Sequence, residues 1–276
     1  MAKVPKRTED ERKIEGSTKM RPAIDSEYKY NKRFLDMKKE GVKWHPTLKE
    51  LSLFCNPTRG SFDNNTPNNG AKIDHRKQID GHARRAVRTL ASGMTSGLTS
   101  PSRPWFALSV EDPIHAEIPN VKIWLTDSRD RMLDVFSRSN TYGALHTIYE
   151  EIGTFATACM LVEEDVKDVI RCRSYTAGEY YLAIGKDGRT NGFCREYSMT
   201  VDQMVRDFGY DDCSDSVKSD YDNDQLDKWV KVRHLIELND KRQPDRADNK
   251  NMMYRSIHWE EACSETEYLR WSGYED

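Results

Sequence analysis

The sequence predicts an α+β fold, with helices gathered in its first half and antiparallel strands in its second. Two observations carry that reading. Between Ile24 and Phe155 apolar side chains recur three and four residues apart, the spacing of a helix face. From Thr157 onward they come instead in short β-rich runs separated by turn residues. A third observation sets the scale. The 276 residues suffice for one sizeable core, or a core with a satellite, yet 37% hydrophobic against 32% charged residues is polar for a lone globular domain. Such a balance suits a long, exposed or ring-forming subunit whose interior is thin or shared with neighbours.

Residues 1–22 mix Lys3, Lys6, Arg7, Arg12, Lys13 and Lys19 with acids and offer almost no large apolar side chain, so a mobile arm is expected there. The mainly helical portion is expected over 23–155. Tyr28, Phe34, Leu35 and Met37 define a first helix between Ile24 and Val42, Leu48 to Phe54 a second, and Gly41 is read as the break between them. Pro57, Gly60, Pro67 and Gly70, with the asparagines among them, predict a surface loop from Asn56 to Gly70.

Ile79, Ala83, Val87, Leu90, Met94 and Leu98 then mark a long amphipathic helix whose other arc carries Lys77, Arg84, Arg85 and Arg88. Gly93 and Gly97 are read as letting the end of that helix pack closely. Pro101 and Pro104 stop it, and Trp105 to Leu108 reads as a short buried strand. Two more helices follow, one carrying Ile123, Trp124, Leu125, Met132, Leu133, Val135 and Phe136, the other running from Tyr142 to Phe155.

The portion 156–276 is expected to be an antiparallel meander. Its strands read as Thr157–Glu163, Val169–Tyr175, Glu179–Ile184 and Gly192–Tyr197, with Lys186-Asp187-Gly188 as a turn. Thr200 and Gln203 form a capping box for a helix with Met204, Val205 and Phe208 inward and Gly209 as its stop. After an acidic, loop-like stretch to Asp227, alternation resumes from Val230 to Leu238, from Met253 to Trp259 and from Glu267 to Trp271.

Enzyme chemistry finds little support. Gly178 and Gly185-Lys186 have the wrong separation for a phosphate loop, and Asp187 stands where Ser or Thr is required. Asp220, Asp222 and Asp224 open like a calcium loop, but Gln225 and Lys231 occupy the glycine and terminal carboxylate positions. The histidines, His234 and His258 among them, show no HExxH pattern, and the six cysteines form no CxxC pair, so no metal, cofactor or catalytic set is assigned. Ser96 and Ser100 lie in no GxSxG elbow. Glu150, Glu151, Glu163, Glu164 and Asp165 leave a metal-dependent nuclease as a minor alternative, with Glu163 and Asp165 its essential pair. No apolar run approaches the length of a membrane span, and the N-terminus carries no apolar signal core. Net charge is −3, so contact with a polyanion must come from a local patch. Lys77, Arg84, Arg85 and Arg88 are that patch, as a DNA or subunit contact, and the same edge makes a nucleic-acid-binding module the second alternative. Trp105 and Phe106 read as core or as a subunit-interface anchor.

Several segments taken in order resemble the head-to-tail connecting (portal) proteins of short-tailed phages. Leu90 to Pro101, LASGMTSGLTSP, runs into Arg103-Pro104-Trp105-Phe106 and is the most specific. Gly153 to Ala156 leading to Cys159–Glu163, then Gly178 to Leu182, Asp187-Gly188, Arg195 to Tyr197, Thr200, Gln203 and Phe208-Gly209 follow in the family's order. The resemblance runs from about Ile24 to the last residue. It implies a wing-like, N-terminal part of a longer protein, without the stem, clip and barrel, as though the chain were truncated. It also implies a structural role in a homo-oligomeric, dodecameric ring at the capsid vertex, made in the host cytoplasm. The ring's implied partners are major capsid protein, tail adaptor, terminase and the double-stranded DNA that passes through during packaging and ejection, with no membrane.

Overall fold

The computed structural model describes residues 30–62, 80–112, 115, 117–243, 246, 248–262 and 268–274. The expected arm at 1–22, Lys77, Ile79 and Cys263 lie outside the described residues. Mixed helix and antiparallel sheet bear out the α+β class. The described residues form two compact units, one drawn from 44–62 and 80–178, the other from 30–43 and 179–274.

In the first unit, helices α2 (His45–Cys55), α3 (His82–Leu98), α4 (Pro119–Arg138) and α5 (Thr141–Phe155) are followed by a hairpin of β1 (Cys159–Asp165) and β2 (Val169–Tyr175). Its interior draws Ala144, Tyr149 and Phe155 from α5, Cys172 and Tyr175 from β2, and Ala91 from α3. The Asn140 side chain ties the start of α5 to β2. Asn140 donates through Nδ2 to the Cys172 carbonyl at 2.7 Å and accepts the Cys172 amide at 2.8 Å, which pairs both backbone groups of that residue. Buried Glu151 does the same for the loops. It accepts from Arg59 Nε at 2.6 Å, Thr176 Oγ1 at 2.9 Å and the Ala177 amide at 3.2 Å. Gly178 adopts φ +95°, and a Cβ there would come within 1.9 Å of the Ser61 carbonyl oxygen, so only glycine fits the crossing.

The second unit is built on a five-stranded meander, β3 (Tyr180–Ile184), β4 (Thr190–Thr200), β5 (Trp229–Leu238), β6 (Tyr254–Glu260) and β7 (Arg270–Tyr274), antiparallel throughout. Register aligns Cys194, Leu235, Ile257 and Trp271 across four strands. Strand residues alternate between faces, so this row and Tyr181 share one side. There they meet Tyr30, Phe34 and Met37 of α1 (Tyr30–Val42), residues at helical spacing of four and three. Trp259 packs edge-on to Tyr30 and Phe34 with ring centres 4.7 and 5.7 Å away. The opposite face receives α6 (Val201–Phe208) and α7 (Asp215–Asp222), whose Val201, Met204, Val205, Val217 and Tyr221 cover Met199 and Val232. Both faces of β5 are therefore covered, and Leu235 is as buried as Val232.

Thr200 and Gln203 form the expected capping box, and Gly209 ends α6 at φ +93°. Other expectations are corrected. The strands belong to two sheets, since among the described residues β1 pairs only with β2. Trp105 to Leu108 forms no strand: Pro104 lacks an amide donor, and aromatic packing rather than a ladder holds the segment. Gly41 lies within α1, where a Cβ would come 2.1 Å from Tyr181 Cδ1; it makes room for that ring instead of ending the helix. Nothing within 4 Å would meet a Cβ at Gly93 or Gly97, so their expected close packing is not found among the described residues. The glycine that permits α3 to approach α5 is Gly153, beneath Leu90. Finally, the acidic stretch before Asp227 contains α7, nucleated by Ser214, whose Oγ accepts the Val217 amide at 3.3 Å.

Candidate functional site

α3 brings Arg84, Arg85 and Arg88 together in its first two turns, Arg85 and Arg88 exposed and Arg84 half-buried. Its 17 residues include no acid. None of the three guanidiniums has a carboxylate partner among the described residues. The Nε of Arg84 is shut off from solvent with no hydrogen-bond acceptor. The helix adds to this charge, because its N-terminal end carries the positive pole of the backbone dipole. α3 is held in place by Thr95 Oγ1 against His146 Nδ1 at 3.0 Å and Thr99 Oγ1 against the Tyr149 hydroxyl at 3.0 Å. Arg103 donates to the carbonyls of Ser96 and Gly97 at its C-terminal end, where the dipole welcomes a cation. Only Ala91 of α3 is buried, and Leu90 and Leu98 are about half exposed.

Trp105 and Phe106 pack inward. Their rings lie 4.8 Å apart, and Phe136 of α4 stacks 6.2 Å from Trp105. The indole Nε1 donates to the Tyr142 hydroxyl at 3.4 Å. These two residues are half-buried packing for α4 and α5.

The periodicity of α4 conceals what matters about it. Of its 20 residues none is buried, while Ile123 is 67% and Trp124 64% exposed. Spacing alone assigns such residues to a core, and only their exposure among the described residues shows otherwise.

The acids considered for a nuclease do not form a catalytic set. Glu151 is consumed by the clamp to Arg59, and Glu163 and Asp165 pair with Arg173 and Arg171 along the hairpin at 2.9 and 3.2 Å. Two amides, of Asp168 and Lys167, hold the Asp165 carboxyl below the usual range, as a turn carboxylate should be. Among the described residues no group of three His, Cys, Asp or Glu could hold a metal ion. Burial pushes the thiols of Cys194 and Cys213 up to about 12, so neither is a nucleophile.

Sequence reasoning also missed a stacked pair, His234 and His258, with ring centres 3.7 Å apart and planes 14° from parallel. His234 Nε2 lies 2.9 Å from Ser256 Oγ, and its Nδ1 accepts from Arg195 Nε at 3.3 Å. Cross-strand alignment of His234 with His258 was the available signal, but it required the register.

A family model described as bacteriophage head to tail connecting protein matches residues 27–276. The chain is 43% identical over 242 residues to the probable portal protein of Bordetella phage BPP-1, covering 88% of this chain and 43% of that protein. It is 40% identical over 245 residues to the portal protein of Salmonella phage epsilon15, covering 89% of this chain and 44% of that protein. The chain spans less than half the length of these curated relatives.

Proposed function

Because the chain belongs to the bacteriophage head to tail connecting protein family, we propose that it forms part of the portal ring at one capsid vertex, as a structural component and not an enzyme. The observation that carries this reading is α4. A helix of 20 residues with no buried side chain and with Ile123 and Trp124 in solvent is a poor element for a monomer and a good one for a subunit that meets others. A closed ring uses two different patches of each subunit in a head-to-tail contact. Within it, twelve copies of the chain act with capsid protein, tail adaptor and terminase while double-stranded DNA passes through. Net charge of −3 suits a passage that lets DNA slide.

Electron microscopy and native mass measurement of this chain, in low and physiological salt, test the reading. Closed rings with a central hole are the expected result; a chain that stays monomeric overturns it. A nucleic-acid-binding module remains a second reading because Arg84, Arg85 and Arg88 lack carboxylate partners among the described residues. It predicts DNA retention by the isolated chain that falls steeply with salt.

A further inference from the structure

Several cations elsewhere in the chain have carboxylate partners: Arg59 has Glu151, Arg171 has Asp165, Arg173 has Glu163, and Arg233 has Glu196 and Glu261. The α3 arginines have none among the described residues. The same sequence carries a matching excess of the opposite sign. From Asp207 to Asp227 there are eight aspartates and a single basic residue, Lys218. Asp207, Asp211, Asp215 and Asp227 are exposed. We infer that the outer face of α3, through the exposed Arg85 and Arg88, docks against the acidic α7 region of a second copy of this chain. This rests on the ring reading and names the contact that the ring would use.

Three features favour a second copy over nucleic acid. First, the patch is small. A surface that follows a phosphate backbone gains affinity with each cation it adds, whereas α3 offers three arginines, all in its first two turns, and no Lys. Second, the acidic partner is rigid. Ser214 donates its amide and hydroxyl to buried Glu260 at 2.9 and 2.6 Å, and Val217 and Tyr221 root α7 in the core, so Asp215 is presented from a fixed helix. Arginines on α3 are likewise backed by α5 through Leu90 over Gly153. Little ordering is then left to oppose binding. Third, the two patches are different surfaces of one chain, as a head-to-tail contact requires.

Charge reversal in trans tests this. One variant carries Arg85→Glu with Arg88→Glu, the other Asp211→Lys with Asp215→Lys, and the assembly of each is measured by sedimentation and native mass. Each alone places like charges together, and its assembly weakens by about tenfold or more. Mixed in equal amounts they alternate around a ring, every contact again pairs opposite charges, and assembly returns to near the wild-type concentration range. The neutral pair Arg85→Gln with Arg88→Gln, checked by circular dichroism, guards against a folding defect and weakens assembly less. Reversed variants that assemble like wild type overturn this inference alone and leave the ring standing. Loss of DNA retention by the arginine variant with assembly unchanged assigns the patch to nucleic acid and also overturns it. A wild-type chain that never assembles removes the ring reading and this contact together.

Discussion

His234 and His258 show how much a single pair of side chains determines. Burial is the main reason both imidazoles stay neutral. It pushes His258 down to about 3 with Arg195 and Arg270 adding to the effect, and holds His234 well below its ordinary value with His258 and Arg195 contributing. The groups around them among the described residues, Phe193, Phe208, Ser256 and the two arginines, include no carboxylate to pair with a charged imidazole. The unfolded chain takes up protons near the ordinary value of 6.5 while the folded one does not, so stability is lost as pH falls through that value and on toward about 3 for His258. Between pH 6.5 and 5 the loss is about 2 kcal/mol per histidine. Urea midpoints at pH 7, 6 and 5 measure it; His258→Leu flattens the slope, and a wild-type midpoint unchanged over this window contradicts the account. Glu151 makes a second prediction at this scale. Its removal in Glu151→Ala strands Arg59 and two donors, and about 3 kcal/mol of stability should disappear from the denaturant midpoint. Glu196 illustrates the reverse balance: burial works against its charge, yet Lys38 and Arg233 prevail and keep its carboxyl below the usual range.

Among the elements, those with their own start and stop chemistry were legible and those defined by a neighbour were not. The capping box of α6 needs only Thr200, Gln203 and Gly209, all within ten residues, and it was readable in full. Thr200→Ala is expected to cost about 1 kcal/mol, read as a lower thermal midpoint. Helix α7 hid behind its composition. Val217 and Tyr221 are its only buried residues, and eight aspartates nearby look like solvated loop until the sheet beneath supplies a surface for them to cap. Trp105 to Leu108 erred the other way: bulky residues suggested a strand, but among the described residues no partner strand pairs with it. Gly178 carried no readable reason at all. Gly178→Ala should destabilise by about 2 kcal/mol or more, because the carbonyl of Ser61, more than a hundred residues away in sequence, leaves no space for a methyl group.

For the molecule as a whole, the decisive quantity is how much apolar surface the chain leaves uncovered. Replacing Trp124 and Ile123 with Ser should leave the thermal midpoint within about 1 kcal/mol of wild type, because neither side chain is buried within the chain. Ring formation should weaken sharply in the same variant; assembly unaffected by it would remove α4 from the interface. By itself the sequence determined the α+β class, the order of most helices and strands, the capping box and the membership of a family, because periodicity, turn chemistry and motif order are local or sequential properties. It also located the α3 arginines. Only the tertiary structure decided that β1 and β2 stand apart from the five-stranded sheet, that Gly93 and Gly97 face open space, that Ile123 and Trp124 lie outside any core, and that two histidines stack. Each of these depends on which distant residue lies opposite, and spacing along the chain cannot carry that information.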